Sequence, residues 1–208
     1  MKVCAVSPWI KASTTDILDF LKKANAELVV LPGLCENTPS LKAIQGVIGR
    51  GVNVFVEQGP SKGKATPYLV THTKAIPMPP QIFASSPKTR CMDKLVAAWP
   101  GRTLPIGSRT VTFAICGEIN GFNPNGSVKH GRTLTFDILA NPAHTVMGRW
   151  HYLGPKLSAL SKGKVVIHVA NNNRNHNLST DVRIYNNGNL QVDKVQREGK
   201  LTWCECRI

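Results

Sequence analysis

Acidic residues are scarce: 12 Asp and Glu stand against 26 Lys and Arg, a formal net charge of +14 at pH 7. Long apolar runs are absent as well. No 18-residue apolar stretch occurs, which excludes a membrane-spanning helix. The N-terminal apolar segment Val3–Val6 is short and is stopped by Pro8, so it does not read as a signal peptide, and a cytoplasmic chain is expected. Cysteine is too thin and too scattered for a disulfide framework. Its six copies, at 4, 35, 91, 116, 204 and 206, are expected as reduced thiols. Internal repeats, low-complexity segments and linkers are lacking, and 208 residues at 42% hydrophobic exclude a disordered chain and fit one domain over 1–208. There is no glycine-rich phosphate loop and no dinucleotide fingerprint. Cys204 and Cys206 share one face of a strand, but no second ligand pair accompanies them, so they read as core. No metal and no cofactor are expected.

What remains is a basic surface and a patterned chain. The basic excess suits a nucleic acid or another polyanion as partner. The Lys and Arg residues are nevertheless spread along the whole chain, with no run of five and no basic helix interleaved with aromatics. A merely basic soluble surface explains them equally well.

The apolar pattern predicts strands at Val3–Val6, Glu27–Leu31, Val52–Val56, Pro67–Thr73, Thr110–Cys116, Asp137–Asn141, Val165–Ala170 and Leu201–Arg207, with further strands around the Asn186–Asn189 turn. Helices are predicted from Thr14/Thr15 to Ala26, over 40–50 and over 149–162, and a proline-rich loop over 75–87. Strands and helices alternate early and a strand-rich tail follows. That is an α/β layered domain with two- to four-strand sheets covered by helices.

Three sites bear on chemistry. The strand Thr110–Cys116 delivers Cys116 to a sharp turn at Gly117, where a sulfur can be presented to a pocket and the 117 N–H would then be free to bind an oxyanion. A cysteine at a strand end is more often a small hydrophobe. Lys74 closes a strand and opens a loop; a lysine there is usually solvated. Glu27–Leu31 is a buried strand running into Pro32-Gly33-Leu34-Cys35-Glu36.

Taken together these segments resemble the nitrilase superfamily, the carbon–nitrogen hydrolases. Glu27–Leu34 resembles the strand that ends in proline and the catalytic glutamate. Lys74 stands where the family has its lysine. Phe113-Ala114-Ile115-Cys116-Gly117-Glu118 resembles the nucleophile elbow, 42 positions after Lys74. Asp137–Pro142, Val165–Asn172 and the closing segments at 187–190 and 199–201 resemble the later strands, so the resemblance covers nearly the whole chain. It implies an α-β-β-α sandwich, association as a homodimer through a helical face, and hydrolysis of a small amide or nitrile through an acyl-enzyme on Cys116. Lys74 and the Gly117 N–H would hold the oxyanion. Asn141 and His144 fall in a region that lines the family's pocket, where they would contact substrate; His144 could also supply a proton.

The departures are specific. The position after Pro32 is Gly33, where the family has glutamate, and Glu36 is the only nearby stand-in. No glutamate occurs between Glu57 and Glu118, so the family's supporting glutamate has no counterpart there. Glu118 is expected to hold the elbow by hydrogen bonds. Loss of a general acid–base costs about 10²–10⁴ in rate and falls hardest on amides, whose amine will not leave without a proton. Three outcomes stay open: a hydrolase using Glu36 or another acid, an esterase-like acyl-transfer enzyme, and an inactive scaffold binding a protein or polyanion through its basic surface.

Overall fold

The structure, a computed structural model, describes residues 1–9, 11–35, 37–60, 64–145, 150–171, 182–191 and 195–208. In chain order its elements are β1 (Lys2–Pro8), α1 (Thr14–Lys23), β2 (Leu28–Val30), α2 (Leu41–Val47), β3 (Asn53–Gln58), β4 (Thr66–Val70), β5 (Ala75–Pro77) and α3 (Thr89–Ala98). Then come β6 (Thr103–Ile106), β7 (Arg109–Phe113), β8 (Ile138–Ala143), α4 (Trp150–Leu160), β9 (Val165–Ala170), β10 (Val182–Asn186), β11 (Asn189–Leu190), β12 (Val195–Glu198) and β13 (Leu201–Arg207). They form a seven-stranded sheet, β12-β13-β1-β2-β3-β4-β5, and a six-stranded sheet, β11-β10-β9-β8-β7-β6, both larger than the two to four strands expected, because the C-terminal strands join β1 and antiparallel hairpins extend the edges.

Strand alternation builds the layers. Val3 and Ala5 of β1 face a core shared by the two sheets, whereas Cys4 and Val6 face a second core under α1 and α2. In the other sheet, Val165, Ile167 and Val169 of β9 enter the shared core and Val166 enters a third one that includes α3 and α4 residues such as Leu95 and Leu157. Phe55 and Phe113 stack across the sheet interface, with ring centroids 4.9 Å apart. The result is the expected α-β-β-α sandwich. Cys204 and Cys206 lie in the shared core, as their place on one face of a strand suggested.

Local signals account for most boundaries. The cap of α1 is Ser13, one residue before the expected threonines. Its Oγ accepts the Asp16 N–H at 3.1 Å, and the Asp16 carboxylate accepts the Ser13 N–H at 2.7 Å. Helix α3 carries no start signal in the sequence, because its N-cap is Lys88, which makes no side-chain cap, and its first turn has no acid. The proline-rich stretch opens with an unexpected strand, since Ala75–Pro77 pairs with β4 at the sheet edge, where a proline is tolerated. Among the described residues no helix is long and apolar enough to cross a membrane.

Both sheets run parallel strands towards one end. The C-terminal ends of β2 and β3 meet those of β7 and β8 there, and Cys116, Asn141 and His144 gather at that edge.

Candidate active site

Strand β7 carries the chain through Ala114 and Ile115 into a 3-10 turn over Cys116–Gly121. Cys116 itself sits at φ 48°, in the left-handed region that non-glycine residues rarely adopt. That conformation costs about 1–3 kcal/mol and survives only where its surroundings enforce it. The enforcement is visible. A Cβ on Gly117 would lie 2.5 Å from Ala84 Cα and still closer to the Ala84 carbonyl, so only glycine fits beneath the loop that crosses the elbow.

Two buried networks clamp the elbow. Glu118, fully buried, accepts the Ile115 N–H at 2.8 Å and the Ile82 N–H at 2.6 Å, and pairs with the equally buried Arg102. Arg102 also donates to the carbonyls of Pro79, at 3.0 Å, and Pro80. Burial pushes the Glu118 carboxyl up, and the Arg102 guanidinium pulls it the other way. Glu118 thus holds the elbow, as its place in the sequence suggested. Behind the elbow, Asn141 Nδ2 donates to the Ala114 carbonyl and to Cys116 O at 2.9 Å, while His168 Nδ1 donates to Asn141 Oδ1 at 2.8 Å. Burial drives His168 down to about 3, so it is neutral there. Asn141 was expected to meet substrate. Its side chain is instead turned into the elbow's backbone, and both its polar atoms are used.

The sulfur of Cys116, on a half-buried residue, receives the backbone N–H of His144 at 3.4 Å. His144 follows β8, and its Nε2 donates to Glu57 Oε2 at 2.6 Å, with both side chains 1% exposed. Glu57 comes from the end of β3, in the other sheet. Burial alone would raise the Cys116 thiol, but the imidazole of His144 and the N–H groups of His144 and Gly117 outweigh it and lower the thiol. Burial would likewise lower His144. Its interactions with Cys116 and Glu57 outweigh that and raise it to about 9. Both shifts act in the same sense, towards a thiolate at Cys116 and an imidazolium at His144.

The other expected residues stand elsewhere. Glu36 lies outside the described residues, as does the asparagine-rich run from 172 onward. Lys74 is exposed in the turn that joins β4 to β5, where its carbonyl accepts the Thr71 N–H at 2.8 Å. In the β3–β4 ladder Glu57 pairs with Pro67 and Val54 with Val70. The turn lies beyond Val70, at the opposite end of the sheet from Glu57. Lys74 is not brought to Cys116, because a short hairpin closes where the family resemblance required a strand end. Lys74→Met is therefore expected to leave the alkylation rate of Cys116 within about two-fold of the parent, measured by peptide mass spectrometry at pH 7.

Glu57 escaped the sequence reading. Its signal was a lone acid closing the apolar run Val54-Phe55-Val56, where a charge demands a buried partner. Gly33 explains how it fits. A Cβ there would lie 2.5 Å from Glu57 Oε2 and 2.8 Å from His144 Nε2, and closer still to His144 Cδ2. The turn is pinned by Asn171, whose Nδ2 donates to Leu34 O at 2.6 Å. No cluster of metal-ligating side chains occurs among the described residues.

No protein-family model and no curated protein matches the sequence. Solved structures do match. An amidase from Nesterenkonia sp. is similar over 99% of this chain and 90% of its own, at 14% identity and a TM-score of 0.60. A CN-hydrolase superfamily protein from Xanthomonas campestris with an arsenic adduct in its active site is similar over 100% and 90%, at 13% identity and a TM-score of 0.58. A glutamine-dependent NAD(+) synthetase from Cytophaga hutchinsonii is similar at 13% identity and a TM-score of 0.59; the match spans 99% of this chain but only 42% of that one. With its two facing sheets, their outer helices and these neighbours, the chain has the fold of the nitrilase, or carbon–nitrogen hydrolase, superfamily.

Proposed function

We propose that the protein hydrolyses a carbon–nitrogen bond of a small amide or nitrile through an acyl-enzyme on Cys116. The observation that carries this reading is the elbow: a half-buried cysteine in a left-handed conformation, with its thiol lowered, at the edge where the two sheets meet. An inert core cysteine needs neither the strain nor the clamps. Cys4, buried in a sheet face, shows the contrast, since burial raises its thiol well above the ordinary value. The fold neighbours lend support: acrylamide adds to the active-site cysteine of a Nesterenkonia amidase mutant.

In this reading the Cys116 thiolate attacks the carbonyl carbon, and the electron pair displaced onto oxygen is held by the Gly117 N–H. The amine leaves, and water releases the acyl group. Cys116→Ala is expected to abolish turnover of short amides such as butyramide and acrylamide, while Cys91→Ala keeps parental turnover. Turnover that survives Cys116→Ala overturns the reading.

The charge of +14 favours a second reading, a scaffold that binds a polyanion. Such binding must weaken steeply as salt rises, and it would be unaffected by Cys116→Ala.

A further inference from the structure

Resting on the hydrolase reading above, we infer that His144 is the general acid–base of the reaction and Glu57 its positioning residue, so that a Cys116–His144–Glu57 triad occupies the space a side chain at position 33 would fill. Four observations converge. Glu57 and His144 come from different sheets, yet meet at 2.6 Å with both side chains 1% exposed. The His144 backbone N–H reaches the Cys116 sulfur at 3.4 Å, which fixes the ring's anchor point beside the nucleophile. A Cβ on Gly33 would overlap both members of the pair, so the pair requires a glycine there. Finally, Nε2 is committed to Glu57, whereas Nδ1 is buried with no hydrogen-bond partner among the described residues. A buried ring nitrogen left open beside a thiol is the atom from which a proton can pass.

A structural ion pair would account for the 2.6 Å contact, but not for its place. Such a pair gains nothing from lying against the one strained cysteine, nor from leaving Nδ1 unsatisfied. Among the described residues Glu57, from β3, and Cys116, from the elbow, are the titratable groups that act on the ring.

The chemistry balances with these groups alone. The Cys116 sulfur forms its bond to the carbonyl carbon as the C=O electron pair moves to oxygen. The tetrahedral species re-forms C=O and expels nitrogen, which takes the proton of the His144 imidazolium. Neutral His144 then accepts a proton from water as its oxygen attacks the thioester carbon. The C–S bond breaks, and thiolate and imidazolium are restored. Glu57 keeps its proton inventory throughout; it orients the ring and stabilises its charge, as the buried carboxylate does in other nucleophile–histidine triads. Amine release, which the missing glutamate at position 33 put in doubt, has a proton source.

The test is the pH profile of Cys116 alkylation by iodoacetamide, from pH 5 to 10, read by peptide mass spectrometry in the parent, His144→Gln and Glu57→Gln, with thermal melts run in parallel. In the parent the midpoint is expected below the ordinary thiol range near 8.5. His144→Gln should move it up into that range and slow alkylation at least ten-fold at pH 6.5. Glu57→Gln should move it part of the way with the melt nearly unchanged, and butyramide turnover should fall about 10²–10⁴-fold in His144→Gln. A purely structural pair would change the melts and leave the midpoint in place. An unshifted midpoint in a folded His144→Gln or Glu57→Gln variant overturns the triad and leaves the hydrolase reading standing. A parental Cys116 that stays inert until the protein unfolds overturns both.

Discussion

Gly33→Ala is expected to lower amide turnover by about 10²–10⁴, close to the loss for a missing acid–base group, while the protein still folds. The added methyl would fall 2.5 Å from Glu57 Oε2 and 2.8 Å from His144 Nε2. Both are far ends of side chains, so they can swing aside without moving the strands. What cannot survive is their mutual contact. Gly33→Glu makes the point harder. It puts back the residue type that the family resemblance required, but into a space already taken, and it should be at least as inactive as Gly33→Ala. Gly46 serves as control. Nothing lies within 4 Å of a Cβ there, and the residue sits inside α2. Gly46→Ala should keep full turnover and gain about 0.5–1 kcal/mol of stability. Turnover of butyramide and melting curves on the three variants decide the matter. Equal activity of Gly33→Ala and the parent would show that the His144–Glu57 contact is dispensable.

Arg102→Met should be the most destabilising single change outside the apolar cores, by about 3–5 kcal/mol, the usual cost of stranding one partner of a buried ion pair. At roughly 2–4 °C per kcal/mol for a chain of this size, the melt drops by roughly 6–20 °C. Arg102 and Glu118 are both fully buried, and Arg102 also holds the Pro79 and Pro80 carbonyls. Without it three acceptors lose their donor, and the Glu118 carboxylate has no counter-charge. The pH dependence follows from the sign of the Glu118 shift. Its folded-state carboxyl is raised, so the protonated form is favoured in the fold, and the burden of its charge grows as pH rises through the folded pKa. The deficit of Arg102→Met should therefore shrink between pH 7 and pH 5. Chemical denaturation at the two pH values measures it, and a deficit that grows towards pH 5 would contradict the assignment.

The layers of the sandwich were legible because two-residue alternation is a local property. Val165-Val166-Ile167 is apolar at every position because both faces of β9 are buried, in two different cores, and such a run marks a strand inside the layers. The elbow was legible for a similar reason: an apolar strand running into Cys116-Gly117-Glu118 has few other uses. Lys74 misled because a lysine at a strand end looks the same whether the strand stops at a site or at a hairpin. The partners of Cys116 were harder. The sequence marks His144 as a pocket residue able to supply a proton but not what holds it, and marks Glu57 only as the last glutamate before a long gap. Their meeting depends on how one sheet docks on the other, and no spacing in the chain records that. Gly33 was read as a loss, since a missing side chain leaves no trace of what moves into its place.

The strand register bears on when the chemistry becomes available. Lys2 pairs with Arg207, and β13 lies between β1 and β12 in the sheet that supplies Gly33 and Glu57. Cys116 and His144 belong to the other sheet, and β13 contributes Cys204 and Cys206 to the layer that joins the two. During synthesis, all four residues leave the ribosome well before the strand that completes their frame. The newborn chain is therefore expected to carry an ordinary thiol until β13 closes the first sheet, and a chain cut before Leu201 should keep every site residue yet alkylate Cys116 no faster than Cys91.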